Sequence, residues 1–104
     1  MIDKNNIIPA LLERLHNLPQ GHYLDVRTYK RNRSLLLVKK EDDDFLVIEN
    51  GFVRERYEEV PAKKLKKLLK TLVKREFPRS TKIRVYNMGE FDEEKAWNVK
   101  RKVL

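Results

Sequence analysis

The sequence predicts an α+β fold: an antiparallel four-strand meander, extended by a possible fifth edge strand, with two main helices packed on one face. Three observations predict it. Apolar residues recur every three to four positions in two stretches, near residues 7–18 and 62–77. Between them, residues 22–58 alternate with a period of two. Turn-forming residues interrupt that alternation at short intervals, as they do in antiparallel hairpins.

The first helix is expected over Ile7–Asn17. Asn6 stands where an N-cap belongs, and Pro9 falls in the first turn, where its missing N–H is not needed. Ile7, Ile8, Leu11, Leu12, Leu15 and Leu18 fall on one arc of the helix, and Pro19-Gln20-Gly21 ends it. The first strand alternates Leu24, Val26 and Thr28 with Tyr23, Asp25, Arg27 and Tyr29. A tight turn near Arg31-Asn32 leads into Leu35–Lys40, and Glu41-Asp42-Asp43-Asp44 makes the next turn. Asn50-Gly51 between two apolar runs is the sequence of a type I′ turn, because both residues tolerate positive φ. Pro61 suits the first turn of the second helix, Pro78 stops it near Phe77, and Leu65, Leu68, Leu69, Leu72 and Val73 are its apolar stripe. Lys82–Tyr86 reads as the fifth strand, ending at Asn87-Met88-Gly89. Residues 90–104 fit helix, strand or tail.

A two-residue turn at Arg31-Asn32 sets Thr28 opposite Leu35, Val26 opposite Leu37 and Leu24 opposite Lys39, an apolar face for the helices. A two-residue turn at Asn50-Gly51 sets Val47 opposite Arg54 and Phe45 opposite Arg56. Leu46, Ile48 and Val53 then join the core. The second face mixes Tyr23, Tyr29, Phe45 and Phe52 with Leu36, Val38, Val47, Arg27, Arg54 and Arg56, too apolar to stand in water. Three covers fit: the C-terminal segment bringing Phe91 and Trp97, a second copy of the chain, or single-stranded RNA stacked on the aromatics.

At 104 residues the chain is expected to be one domain, 1–104, because smaller pieces would bury too little core. It has no cysteine, which fits a reducing, cytoplasmic setting. Its longest wholly apolar runs, Leu35–Val38 and Phe45–Ile48, are far shorter than the ~20 residues that span a bilayer. The first residues lack the basic and apolar regions of a signal peptide.

Charge is the most informative feature for function. The net charge is +8, yet residues 61–84 alone hold ten Lys/Arg against one acid, Glu76. The basic residues are Lys63, Lys64, Lys66, Lys67, Lys70, Lys74, Arg75, Arg79, Lys82 and Arg84. Lys63, Lys67, Lys70 and Lys74 line up opposite the leucine stripe, flanked by Lys64 and Lys66. An ordinary solvated helix face mixes signs so that acids stand four residues from bases; here like charges stand four apart, at a small cost in stability. Such a field attracts polyanions.

No catalytic or metal signature accompanies it. The acids of 41–44 are consecutive and lack the glycine and spacing of a calcium loop. His16 and His22 straddle a Pro-Gly break, Ser34 and Ser80 lie at element boundaries, and Gly21, Gly51 and Gly89 form no phosphate loop. No enzyme, metal or cofactor is expected.

The order helix, antiparallel strands, helix, with Lys63-Lys64 and Lys67 at the start of the second helix, resembles the double-stranded-RNA-binding domain over residues 5–77. That resemblance implies phosphate contacts from the lysine cluster. This chain departs from the family in having four strands rather than three, leucines where the family's second helix favours alanines, and no glycine-rich approach to that helix. The likeness is one of element order.

The expectation is a small non-enzymatic nucleic-acid-binding module, RNA favoured over DNA. Lys63, Lys64, Lys66, Lys67, Lys70, Lys74, Arg79, Lys82 and Arg84 hold phosphates, giving sequence-independent affinity. The alternative is a protein-interaction domain, homodimeric through the mixed sheet face. No membrane partner is expected, because the leucines of the basic helix are needed for the core.

Overall fold

Alternating and amphipathic stretches become nine elements in the computed structural model, which describes residues 2–28, 33–41, 44–51, 53–78 and 80–92. In order they are β1 (Ile2–Asp3), a 3-10 turn (Lys4–Asn6), α1 (Ile7–Asn17), β2 (His22–Thr28), β3 (Ser34–Glu41), β4 (Asp44–Asn50), β5 (Arg54–Pro61), α2 (Ala62–Glu76) and β6 (Lys82–Glu90). The architecture is α+β: one six-stranded antiparallel sheet, in the order β1-β6-β2-β3-β4-β5, and two helices.

β2 to β5 are sequential neighbours, but the last strand is not at an edge. β6 lies between β1 and β2, because Ile2 and Asp3 pair with Ile83 and Lys82 and take the edge themselves. β6 also runs past Asn87 to Glu90, through a bulge opposite Tyr23/Leu24 and a left-handed Gly89 (φ 81°).

The registers differ from expectation in two places, with different consequences. Val26 pairs with Leu35 and Leu24 with Leu37, a shift of two residues, because the connection from Thr28 to Ser34 is longer than a two-residue turn. An even shift keeps every side chain on its face. The Arg31-Asn32 turn itself lies outside the described residues, as do Tyr29, Asp42 and Asp43. At Asn50-Gly51 the type I′ turn is not formed. Asn50 pairs with Arg54, so three residues, 51–53, make the connection, and the φ of Gly51 is not in the left-handed region. Val47 consequently opposes Tyr57 rather than Arg54, and Phe45 opposes Val60 across a bulge at Glu58 and Glu59, where Glu59 has φ 54°. Through the β3–β4 register, Leu37 with Val47 and Lys39 with Phe45, Phe45 and Val47 join the helix side. Leu46 and Ile48 lie on the other face, reversing the expected assignment.

The helix-side core joins Ile7, Leu11, Leu15 and Leu18 of the α1 region to Leu65, Leu69, Leu72, Val73 and Phe77 of the α2 region. Both sets pack over Leu24, Val26, Leu35, Leu37, Phe45, Val47, Val60 and Ile83. Leu68 is only half-buried. On the opposite face Val38, Leu46 and Ile48 form a smaller cluster with Tyr23, Leu36 and Phe91. Phe91 meets Tyr23 edge-on at 5.1 Å, and its N–H donates to the Gly21 carbonyl (2.7 Å). Trp97 and Phe52 lie outside the described residues.

The helix ends are held by groups distant in sequence. Asn6 makes no side-chain cap to α1; instead Asp3 accepts from the Asn5 N–H (3.0 Å) and caps the preceding 3-10 turn. The Lys39 ammonium, on a buried residue of β3, donates to the His16 carbonyl (2.9 Å) at the end of α1. Lys4 donates to the Phe77 carbonyl (2.7 Å) at the end of α2. Cations there satisfy orphan carbonyls and complement the negative end of the helix dipole.

Candidate nucleic-acid interface on the second helix

α2 forms because lysine and leucine are both good helix formers and because one stripe of it is apolar. It packs over β4 and β5 with Leu65, Leu69, Leu72 and Val73 buried, which turns Lys63, Lys64, Lys66, Lys67, Lys70 and Lys74 outward; all six are exposed. None of the six forms an ion pair with another described residue. From Lys63 to Lys74 the stripe runs about 16 Å along the helix axis. No aromatic residue stands among the exposed positions of α2. The surface therefore offers point charges on flexible stems, suited to phosphates and blind to base sequence.

Lys82 and Arg84, also expected in this site, do not join it. Ile83 faces the helix-side core, so its neighbours Lys82 and Arg84 project from the opposite face of the sheet. Lys82 there stands 3.8 Å from the Asp3 carboxylate. Arg84 is half-buried, pairs in register with Arg27, and its Nη1 lies 3.3 Å from the Tyr86 hydroxyl. Arg79 lies outside the described residues. The charge window that is continuous in sequence is split by the sheet into two surfaces on opposite sides.

On that second surface Asp25 is buried and accepts from Arg27 Nε (2.9 Å) and Nη2 (2.7 Å). The hydrogen bond that it donates to Asp25 raises the already high pKa of the Arg27 guanidinium. Burial first, and then the Asp25 charge, push the Tyr23 hydroxyl up. Arg27, expected on the mixed sheet face, is thus bound to a carboxylate there. Val38, Leu46 and Ile48 on this face are 1%, 2% and 1% exposed.

Arg75, the last basic residue of α2, is also bound. Its Nε and Nη2 donate to the two carboxylate oxygens of Glu49 (2.9 and 2.7 Å), and the Tyr57 hydroxyl donates to Glu49 Oε1 (3.0 Å). Glu49 is fully buried. Burial pushes its carboxyl up, but the bonds donated by Arg75 and Tyr57, with the Arg75 charge, are the main opposing influences, and it lies below the ordinary value. The bond to Glu49 raises the Arg75 guanidinium. Burial first, and then Glu49, raise the Tyr57 hydroxyl. This cluster was not read from the sequence. Its one signal was Glu76, the lone acid of the basic window.

No protein-family model, curated protein or solved structure matches the chain. The six-stranded order also departs from the three-stranded sheet implied by the likeness to the double-stranded-RNA-binding domain. Among the described residues no helix is long and apolar enough to cross a membrane, and no three His, Asp or Glu side chains gather as a metal site.

Proposed function

We propose that the chain is a small non-enzymatic nucleic-acid-binding module, RNA favoured over DNA and cytoplasmic in setting. It holds backbone phosphates on the outer face of α2. One observation carries the reading: Lys63, Lys64, Lys66, Lys67, Lys70 and Lys74 are all exposed on that helix and none is ion-paired to a described acid. Lys4, Lys39 and Arg75, by contrast, have structural partners. Exposed like charges are retained here against a small cost in helix stability, which a polyanion offsets. RNA is favoured because the opposite sheet face adds Arg84 beside an exposed Tyr86, the residue types that pair and stack single strands.

The test is fluorescence anisotropy with labelled single-stranded RNA, duplex RNA and duplex DNA at about 50 mM salt, where a phosphate-binding patch holds most tightly. Saturable binding of at least one, insensitive to base sequence, is expected. Failure of all three to bind would overturn the proposal and leave the lysines as a solubilising surface.

A further inference from the structure

A polar row crosses five strands at one end of the sheet, on the face away from the helices. Arg84 on β6 pairs with Arg27 on β2, Arg27 with Ser34 on β3, Ser34 with Asn50 on β4, and Asn50 with Arg54 on β5. The register shifts of these ladders fall at Tyr23/Leu24, Lys39/Glu41 and Phe45/Val47, all toward the other end. The row is therefore regular, and its five side chains share one face. At the usual strand spacing it is about 19 Å long. It contains no acid; Arg54 is exposed and the other four are half-buried. Two features exceed what a structural surface requires. Arg27 and Arg84 are like charges directly opposite one another, which costs stability. Beside them on the same face, two residues along β6, the Tyr86 ring is 36% exposed, whereas Tyr23 packs edge-on against Phe91.

We propose that this row is a second binding surface, a track for the backbone of single-stranded RNA with one unpaired base stacked on Tyr86. It goes beyond the reading of α2 and stands independently of it, because the lysines lie on the other side of the sheet. The arginines supply planar forks that match phosphate oxygens. Asp25 holds Arg27 through Nε and Nη2, which fixes the guanidinium in place with Nη1 outside both bonds. Lys82 and Arg56 flank the row on β6 and β5, each near one acid: Asp3 at 3.8 Å and Glu58 at 3.4 Å. Between the arginines, Ser34 and Asn50 carry groups that both donate and accept, as the ribose 2′-hydroxyl does. A duplex keeps its base faces covered, so only a single strand can use the phosphate forks and the Tyr86 ring together.

The test is amide NMR of the full chain with a short single-stranded RNA, the same sequence as single-stranded DNA, and an RNA duplex. The single-stranded RNA should shift the amides of Arg27, Ser34, Asn50, Arg54 and Tyr86. The DNA should do so more weakly, and the duplex should shift only α2. Shifts confined to α2 with every probe would overturn this inference and leave the α2 reading standing. Shifts along the row with α2 silent would uphold it and overturn the other reading. Equal binding of the single-stranded DNA would overturn the choice of RNA. Two substitutions at exposed positions give a second measurement. Tyr86→Ala should weaken single-stranded RNA binding about 5- to 150-fold, the worth of one stacked base. Arg54→Gln should flatten the slope of log affinity against log salt by about 0.7, one phosphate contact on a single strand. Neither should change duplex affinity, which Lys67→Gln with Lys70→Gln should reduce. Single-strand affinity unchanged in both sheet variants would overturn the track.

Discussion

α1 and α2 lie on the same face of one sheet and bury the same kind of stripe, yet their outer surfaces differ. The exposed positions of α1 are Pro9, Glu13, Arg14, His16 and Asn17, a mixture of signs and neutral groups. Those of α2 include six lysines, and its one acid, Glu76, is buried. The core makes the same demand of both helices: Ile7, Leu11 and Leu15 on one, Leu65, Leu69, Leu72 and Val73 on the other. Packing therefore explains the inner stripes and leaves the outer ones unconstrained. The composition of α1's outer face is what solvation alone requires. That of α2 exceeds it, and the excess is the argument for a ligand.

The largest effects should come from the shared inner stripes, and there the helices should behave alike. Leu11→Ala and Leu69→Ala, both at fully buried positions, are each expected to cost about 2–5 kcal/mol in urea unfolding. Half-buried Leu68 should cost less than either when changed to Ala, because less of its side chain leaves an apolar site. A Leu11→Ala loss far below that of Leu69→Ala would mean that α1 is not an equal half of the core.

The next effects belong to α2 alone, at its buried carboxyl end. Gly51→Ala places a methyl group on the Glu76 carboxyl, which is fully buried and accepts from the Val53 N–H. A loss of about 1–3 kcal/mol is expected from this overpacking. Glu49→Gln should lose a similar amount, about 1–3 kcal/mol, by removing the anion that Arg75 and Tyr57 address. Because the Glu49 carboxyl sits below its ordinary value when folded, its stabilisation is present above the unfolded carboxylate range. It is lost as pH falls through the folded value. Comparing urea midpoints at pH 7 and pH 3, the wild type should lose more stability on acidification than Glu49→Gln. Equal losses would show that Glu49 is not held ionised by Arg75.

How much of this was legible in the sequence depended on whether a feature was local. The two helices were, because each apolar stripe is complete within one segment, and so was the run of strands read over residues 22–58, although the last of them continues to Pro61. The order of the sheet was not: Ile2 and Asp3 are too short a strand to carry a period, yet they take the edge from β6. The Asn50-Gly51 reading failed because the dipeptide's preference for a two-residue turn is weaker than the tertiary demand at that corner. Gly51 is there for its missing Cβ beside Glu76, not for positive φ. Phe45 and Val47 were read onto the wrong face; the β3–β4 register, irregular between Lys39 and Glu41, sets them opposite Lys39 and Leu37 on the helix side. For the candidate site, the α2 lysines were legible as a helical stripe. Separating Lys82 and Arg84 from them required the β2–β6 register, which brings Arg84 beside Arg27 on the far face.

The smallest effects on stability should come from the outer surfaces. Lys67→Gln with Lys70→Gln should change the unfolding free energy by no more than about 0.5 kcal/mol, and in the direction of greater stability, as like charges four apart are relieved. The matching double change on α1, Glu13→Gln with Arg14→Gln, should be equally mild. Marked destabilisation by the α2 pair would show that those lysines serve the fold, and the contrast between the helices would then lose its functional meaning.

Binding is where the two outer faces must part. The most direct measurement is the slope of log affinity against log salt for one labelled RNA, taken for the wild type, the Lys67/Lys70 double variant and the Glu13/Arg14 double variant. Four to six phosphate contacts predict a wild-type slope of about −3 to −5, at roughly 0.7 per contact on single strands and 0.9 on duplex. The α2 variant should bind all sequences more weakly and lose about two contacts' worth of slope, while the α1 variant keeps the wild-type line. Identical slopes for all three proteins, or no binding by the wild type at about 50 mM salt, would contradict the assignment of α2 as the phosphate-binding surface.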